Sequence, residues 1–444
     1  MNLLLGVALV LGLMIMIHEW GHFIVARLFK VRVDVFSIGF GPRLFGLKRG
    51  ATDYRVSALP FGGYVRMAGQ DLSEVDSNDV APTGAPDELM SKPRWQRALI
   101  SFAGPAVNLI FPIFLLTGMF VAVGLPYSAF LDLPAQVVAL PGDKAGQGSP
   151  LQAGDKLVSI NAVRNPTWEQ VQKALKQAAP GDKLKLEVEN AGNRRSVEMT
   201  TNNDTTLDRV LGYPPLVPVL DEVGPGTPAE RAGLKEGDRI RTVNGKKIEY
   251  WGQFVEQVRS SKGQNVKLEL DRKGQTIYAD VTPQAAVADS GETIYQVGVA
   301  VLDRISYRRI SFTDGVRDAF VTTGERIQET IGVVGKLFSG RVSVRQLQGA
   351  VGISRAAGEA VRRGPLAVIS LMVLISVNLG ILNLLPIPIL DGGNILLLTL
   401  EGIRRRDFSL AFKERFVQVG LVFLLVLFAY VMYNDVVRML PTHS

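Results

Sequence analysis

Four apolar runs stand out along the chain, at residues 3–26, within 98–131, at 364–390 and at 416–434, and each carries almost no charge. A helix needs about 20 residues to cross the hydrocarbon core of a bilayer, so each run is predicted to span a membrane. The first does not read as a cleaved leader, because no basic residue precedes its apolar core and no small-residue cleavage site follows it. Between the second and third runs the pattern changes. Residues 132–305 show short alternating stretches punctuated by glycine, the signature of strands and turns.

That middle region repeats itself. Leu151-Gln152-Ala153-Gly154-Asp155-Lys156-Leu157 returns 83 residues later as Leu234-Lys235-Glu236-Gly237-Asp238-Arg239-Ile240. Asn161 and Trp168 map to Asn244 and Trp251 at the same offset, and Lys185-Leu186-Glu187 returns as Lys267-Leu268-Glu269 at an offset of 82. A slip of one residue is a loop deletion between two copies of one domain. Each copy reads as strand, Leu-x-x-Gly-Asp turn, strand, turn, helix and hairpin. After them, Val316, Phe320, Ile327, Ile331, Val334 and Phe338 recur at three, four or seven residues. This is one apolar helix face, which fits a helix lying on the membrane surface or a hinge before the third span.

Charge refines the topology. A formal net charge of +7 suggests nucleic acid until the charges are placed. Arg27, Lys30, Arg32, Arg43, Lys48, Arg49, Arg55, Arg66, Lys92, Arg94 and Arg97 lie between spans one and two; Arg404, Arg405, Arg406, Lys413 and Arg415 lie between spans three and four. Positive residues favour the cytoplasmic side, so both segments are expected there, with residues 132–363 on the outside. The basic balance is then topology, and no nucleic-acid partner is expected. Cysteine is absent, which excludes a disulfide framework and thiol catalysis.

The chemistry sits in the first span. His18-Glu19-Trp20-Gly21-His22 uses two of the three histidines of the chain, His443 being the third. Histidines four apart share a helix face, so both imidazoles can hold one Zn²⁺ while Glu19 takes a proton from the attacking water. Ionisable groups inside a span are costly and read as functional. Catalytic zinc usually takes three protein ligands, and with no third histidine in the fold the missing one is expected to be a carboxylate. Asp391 follows Asn383-Leu384-Leu385-Pro386-Ile387-Pro388-Ile389-Leu390. His18 lies nine residues before Arg27 and Asp391 ten before Glu401, about 13 and 15 Å at helical rise, so both fall at a similar depth near the cytoplasmic face. An aspartate merely capping the next helix is the competing reading, and the depth match favours the ligand. Pro386 and Pro388 should break the helix there, which is tolerated where backbone is buried or lines a wet cavity.

An H-E-x-x-H motif in a first span, joined to N-x-x-P-x-P-x-L-D-G in a later one, resembles the site-2 protease family of intramembrane zinc metalloproteases. The two middle repeats resemble circularly permuted bacterial PDZ domains, which is similar to the regulator-of-sigma-E protease subgroup. The resemblance implies His18, His22 and Asp391 as zinc ligands, Glu19 as catalytic base, and Asn383 as a residue holding substrate near the metal. It further implies a substrate that is a single-span membrane protein already trimmed on its outer side, of the anti-sigma-factor type, or remnant signal peptides. The location it implies is the bacterial inner membrane. Gly39-Phe40-Gly41 and Phe61-Gly62-Gly63-Tyr64-Val65 look like strands of a small re-entrant sheet, whose edge would bind an unwound substrate through main-chain hydrogen bonds; Gly39, Gly41, Gly62, Gly63 and Tyr64 are the candidates. An ordinary surface hairpin is the alternative. Gly104-Pro105-Ala106-Val107-Asn108 opens span two with small residues suited to close packing, and Asn108 fits either a hydrogen bond across helices or simple packing. Gly349-Ala350-Val351-Gly352 departs from the subgroup, with Ala where Pro is usual. The PDZ-like pair fits peptide capture or size exclusion. A membrane-anchored PDZ adaptor with a dead metal site is the competing function, and no ligand or base is missing to support it.

The expected fold class is a polytopic α-helical membrane protein with four transmembrane helices, a re-entrant β-sheet and two extracytoplasmic PDZ-like α+β domains. The expected organisation is span one at 1–29, a cytoplasmic or re-entrant β segment at 30–97, span two at 98–125, PDZ-like domains at 126–215 and 216–305, an amphipathic segment at 306–363, span three with its Leu-Asp-Gly at 364–400, a cytoplasmic loop at 401–415, and span four at 416–436.

Overall fold

The computed structural model describes residues 8–70, 83–140, 150–203, 205–287, 293–339 and 349–439. It divides into two compact units, one holding the chain up to 125 and from 309 onward, the other holding 126–308. In the first unit, a π turn at Ala8–Gly12 leads into α1 (Leu13–Leu28), the described part of the first apolar run; residues 3–7 of that run lie outside the described residues. α1 stops where Lys30 turns left-handed at φ 57° and Val31 N–H reaches back to Ala26 O at 2.9 Å, which satisfies a carbonyl that the helix end would otherwise orphan.

β1 (Val33–Arg49) and β2 (Thr52–Met67) form a hairpin that folds back on itself. Val35 lies opposite both Arg66 and Asp53, and Ile38 opposite both Gly63 and Val56, while Phe45 also pairs with Val56. The strip therefore runs 43–49, 52–57, 33–38, 63–67 from one side to the other. The bends fall at Gly39, Gly41 and Gly62, with φ of 88°, 87° and 85°, a region that side chains with a Cβ avoid. The outer end of the strip exposes Leu44, Phe45 and Leu47. α2 (Arg94–Ala122) follows, with Pro105 and Pro112 inside it. It begins four residues before the expected 98 and ends three before the expected 125.

β3 (Leu125–Ser128) leads to the second unit. There β4 (Lys156–Ile160), β5 (Val163–Arg164), α3 (Trp168–Gln177), β6 (Lys183–Asn190) and β7 (Asn193–Thr200) form the first copy, followed by the short α4 (Leu207–Leu211). The second copy has β8 (Leu220–Val223), α5 (Pro228–Arg231), β9 (Arg239–Val243), β10 (Lys246–Lys247), α6 (Trp251–Ser260), β11 (Val266–Arg272) and β12 (Gln275–Val281). Strand order is β5-β4-β6-β7 in one sheet and β10-β9-β11-β12 in the other, so the repeat seen in sequence is a repeat of topology. β13 (Gln284–Val287) and β14 (Thr293–Gln296) add a hairpin, β15 (Val299–Val301) pairs β8, and β16 (Ile305–Arg308) pairs β3.

Each copy has its own core: Ile160, Trp168, Val171, Leu186 and Leu211 in the first, Ile240, Phe254, Leu268 and Leu270 in the second. Full burial of each such side chain contributes about 1.5–3 kcal/mol. The repeated Gly-Asp turns are explained by hydrogen bonding. Asp155 and Asp238 are both fully buried; they accept from Gln152 N–H at 2.7 Å and Lys235 N–H at 2.8 Å. Their charge is met by Arg195 and by Arg272 respectively. Burial by itself raises the Asp238 carboxyl, but the Arg272 fork holds it below the ordinary aspartate value.

Arg308 at the end of β16 grips Glu169 on α3 with two hydrogen bonds, 2.6 and 2.9 Å. That fork, assisted by Lys173, holds the Glu169 carboxyl at about 2, down from 4.5. A depressed carboxyl stabilises the fold above its ordinary value and loses that contribution as pH falls through the folded one. Thermal unfolding of the second unit is accordingly expected to shift down between pH 4.5 and 2. Glu169→Gln should cost about 1 kcal/mol at pH 7 and nothing further at the acid end; a variant as acid-sensitive as the native protein would contradict this.

The chain then returns to the first unit through α7 (Phe312–Phe338), α8 (Ala350–Arg363), α9 (Pro365–Asn383), α10 (Asp391–Arg404) and α11 (Leu410–Met439). On α7, Phe320 and Ile331 of the apolar stripe are exposed, while Val316, Ile327 and Val334 are half-buried and Ala319 and Thr323 are buried. Among the described residues, four helices are long and apolar enough to cross a membrane, at Val10–Leu28, Arg94–Ala122, Pro365–Asn383 and Ala411–Asp435. The expected span 364–400 is split between two helices, the first ending at Asn383 and the second starting at Asp391, because Pro386 and Pro388 lack the N–H groups that would continue the ladder. α11 is tied down at separated points. Gly420 abuts Pro388, Lys413 pairs with the buried Glu401 at 3.1 Å, and Asp435 accepts from Gly349 N–H and Gly352 N–H at the start of α8.

Candidate active site

The i, i+4 spacing on α1 turns His18 and His22 to one side, toward α2 and the start of α10. His18 is 7% exposed and His22 8%. Their Nε2 atoms lie 3.2 Å apart, and Asp391 completes the group with one carboxylate oxygen 3.1 Å from His18 Nε2 and the other 3.5 Å from His22 Nε2. Among the described residues this is the one cluster of at least three such side chains that can hold a metal ion.

The donor set can be tested against zinc. Bonds of 2.0–2.1 Å at tetrahedral angles put ligand atoms about 3.3 Å apart. The separations of 3.1 and 3.2 Å lie close to that value, the 3.5 Å separation runs to the second carboxylate oxygen, and one ligand atom from each residue lies within 4.8 Å of the others, so the three side chains are close enough to share one ion. His22 Nδ1 lies 2.7 Å from Ile100 O; a carbonyl only accepts, so Nδ1 carries the proton and the Nε2 lone pair faces the cluster. The residues fit the metal.

Two helices shape this cluster through glycine. A Cβ on Gly104 of α2 would collide with His22 Nε2 and sit 2.8 Å from His18 Cε1, so the imidazoles lie directly on the α2 backbone. A Cβ on Gly21 would meet Ala103 O at 2.5 Å, which is how closely α1 and α2 approach. Beyond the proline break, Gly392 and Gly393 nest against the carbonyls of Leu384, Leu385 and Ile387, where no Cβ fits. That contact sets the first turn of α10 and with it Asp391. Ile389, two residues earlier, is held at φ 80°, an unfavourable conformation for a β-branched residue.

Glu19 is adjacent but is not part of the triangle. Its Oε2 accepts from Val65 N–H at 3.2 Å, so the last segment of β2 presents an edge to it. A cavity of about 510 Å³ opens on this group, lined by His18, Glu19, His22, Tyr64, Asn383 and Asp391 among others. Asn383 and Tyr64 are thus brought to the site. Gly39, Gly41, Gly62 and Gly63 are not; Gly39 and Gly63 permit close strand approach, against Leu59 O and against Ser37 O at 2.5 Å, and Gly41 and Gly62 sit at the positive-φ bends. Phe40 stacks on Tyr64 with ring centres 5.9 Å apart. Sequence reasoning gave Ile100 no role and left Asn108 open. Asn108 Nδ2 lies 3.2 Å from His18 Nδ1.

The sequence model of peptidase family M50 matches residues 6–427. The chain belongs to peptidase family M50. Protease RseP of Yersinia pestis is 32% identical to it, with 97% of each chain covered. Regulator of sigma-E protease RseP of Escherichia coli is 31% identical, again over 97% of each. Among solved structures, the PDZ domain of an SdrC-like protein from Listeria monocytogenes is similar to 20% of this chain and to 88% of that domain, at 21% identity and a TM-score of 0.17. The protein is therefore a membrane metalloprotease whose cofactor is zinc, and the geometry above shows side chains suited to that metal.

Proposed function

We propose that this protein cuts a peptide bond within the membrane-spanning segment of another membrane protein, using His18, His22 and Asp391 as zinc ligands and Glu19 as general base. The observation that carries the reading is the convergence of the three donor groups, with ligand atoms within 4.8 Å of one another, beside a carboxylate that is not one of them. Zinc, when bound, supplies Lewis-acid polarisation of the scissile carbonyl and lowers the pKa of water toward ~7. Glu19 takes the proton from the attacking water and delivers it to the leaving amine. Val65 N–H holds one Glu19 oxygen, and Glu19 lines the cavity.

A helix hides its carbonyls, so the substrate must unwind before it reaches Glu19. The 63–67 edge of the re-entrant strip, with Tyr64 and Asn383 beside it, supports capture of the unwound segment by main-chain pairing. Spans rich in weak helix formers are the expected substrates. The names of the relatives support an anti-sigma-type single-span protein, trimmed on its outer side, as the physiological substrate. The duplicated sheets support two PDZ-like domains, and the basic loops support an inner-membrane protein with Arg404–Arg406 on the cytoplasmic side.

Two experiments test this. Purified native protein is expected to hold about one zinc ion and to cut a model span, whereas His18→Ala, His22→Ala and Asp391→Ala lose zinc and cleavage together. A ligand variant that kept both would remove the assignment. For sidedness, the absence of cysteine gives a clean background. A cysteine at Ser409 should be shielded from an impermeant thiol reagent in intact cells and one at Ser260 labelled once the reagent has passed any outer membrane; the opposite pattern would invert the orientation.

A further inference from the structure

We propose that a second cavity, between the start of α2 and the end of α10, binds the phosphate headgroup of an anionic phospholipid from the surrounding bilayer. Its volume is about 770 Å³, and none of the zinc ligands lines it. Its charged walls are unbalanced: Lys92, Arg94 and Arg97 stand against a single carboxylate, Asp407. Arg94 donates to one Asp407 oxygen from two nitrogens, at 2.6 and 2.9 Å. That fork, with the charges of Lys413 and Arg97 beyond it, holds the Asp407 carboxyl below the ordinary aspartate value. The acidic group is therefore ionised and outnumbered. Lys92 forms no ion pair among the described residues, so its charge is available to a ligand.

The surroundings fit a lipid better than a soluble anion. The apolar span of α2 begins at Arg94, which puts the cations at the boundary between water and hydrocarbon, where lipid phosphates lie. Trp95 is exposed there and meets the Phe29 ring edge-on at 5.4 Å, as an aromatic anchor at that boundary does. Trp95, Leu99 and Phe102 fall at i, i+4 and i+7 and are all exposed, so one apolar strip runs from the cavity down the span and can carry an acyl chain. The first turn of α2 lines the cavity and has no side-chain cap, Pro93 being its N-cap. The positive end of the helix dipole thus adds to the cations. On the opposite wall the end of α10 has the opposite dipole, offset by Arg404 in its last turn. Basic pockets between spanning helices take anionic headgroups because the phosphate gains counter-charge while its chains stay in lipid. A lipid seated here bridges α2, on which the imidazoles rest, and α10, which begins at Asp391.

Two substitutions of opposite sign test the site. The full chain, delipidated in neutral detergent, is given phosphatidylglycerol and phosphatidylcholine in equal amounts, and the lipid retained is counted by native mass spectrometry. Native protein should keep phosphatidylglycerol in preference to phosphatidylcholine and unfold at a higher temperature with it. Lys92→Gln removes one cation and should lower that preference about fivefold. Asp407→Asn removes the competing anion and releases Arg94, so it should raise the preference. Arg406→Gln, on the loop beside the cavity, is the control for charge anywhere on the surface and should leave it unchanged. Thermal unfolding in phosphatidylcholine alone separates a loss of binding from a loss of fold. Equal retention of the two lipids by native protein overturns the proposal. So does a fall in Asp407→Asn, or a fall in Arg406→Gln as large as in Lys92→Gln. Displacement of phosphatidylglycerol by millimolar inorganic phosphate would make this a soluble-anion site and overturn the lipid assignment. Lipid retention is read without zinc or cleavage, so its failure leaves the protease reading standing.

Discussion

Glu19→Gln is expected to slow cleavage by about 10²–10⁴-fold while leaving zinc content near one per chain. The reason lies in the division of labour at the site. His18, His22 and Asp391 form the triangle of donors, and Glu19 stands outside it, its carboxylate anchored to Val65 N–H at 3.2 Å. Glutamine has the same length and its amide oxygen can still accept from Val65, so the cavity should keep its shape. What is lost is a group able to take a proton from water and return it to the amine. A single-turnover assay on a membrane-embedded model span, beside metal analysis of the same sample, checks both halves. Full activity in Glu19→Gln would sink the mechanism. Loss of zinc would make Glu19 a ligand and send the search for the base elsewhere.

Much of this site was legible in the sequence because it rests on local rules. Helical periodicity alone puts His18 and His22 on one face, and counting residues from Arg27 and Glu401 sets Asp391 at matching depth. Pro386 and Pro388 announce the break that lets Asp391 head a separate helix. What could not be read depends on contacts between distant segments. Ile100 acts through a backbone carbonyl, which every residue has. The bends at Gly39 and Gly62 carry a residue-level signal, but the fourfold strip they create needs Val35 to pair on both sides, which periodicity cannot express. In the outer repeats the buried Asp155 and Asp238 align at an offset of 83, whereas their cations, Arg195 and Arg272, are 77 apart. The repeat therefore reveals the need for a counter-charge and hides its source.

The span-two glycine carries the most specific expectation. Gly104 read from sequence as a small residue for helix packing, and in the structure its missing side chain is the space that the two imidazoles fill. In Gly104→Ala the new methyl would collide with His22 Nε2 and lie 2.7 Å from His22 Cε1. The ring cannot simply withdraw, because its Nδ1–H is bonded at 2.7 Å to Ile100 O, one turn earlier on the same helix. Nor can α1 readily swing away, since Gly21 is packed on Ala103 O. Either the Ile100 bond breaks or the His18–His22–Asp391 triangle opens. Zinc affinity should then fall by about 10–100-fold, as when a partner behind a metal ligand is lost, and a displacement near 1 Å at the reacting centre costs roughly another 10²-fold in rate. Gly118→Ala on the same helix is the control. Nothing lies within 4 Å of its missing Cβ, so the change should leave zinc binding untouched and stabilise the helix by about 0.5–1 kcal/mol. Equal zinc affinity in the two variants would show that the imidazoles do not rest on the α2 backbone.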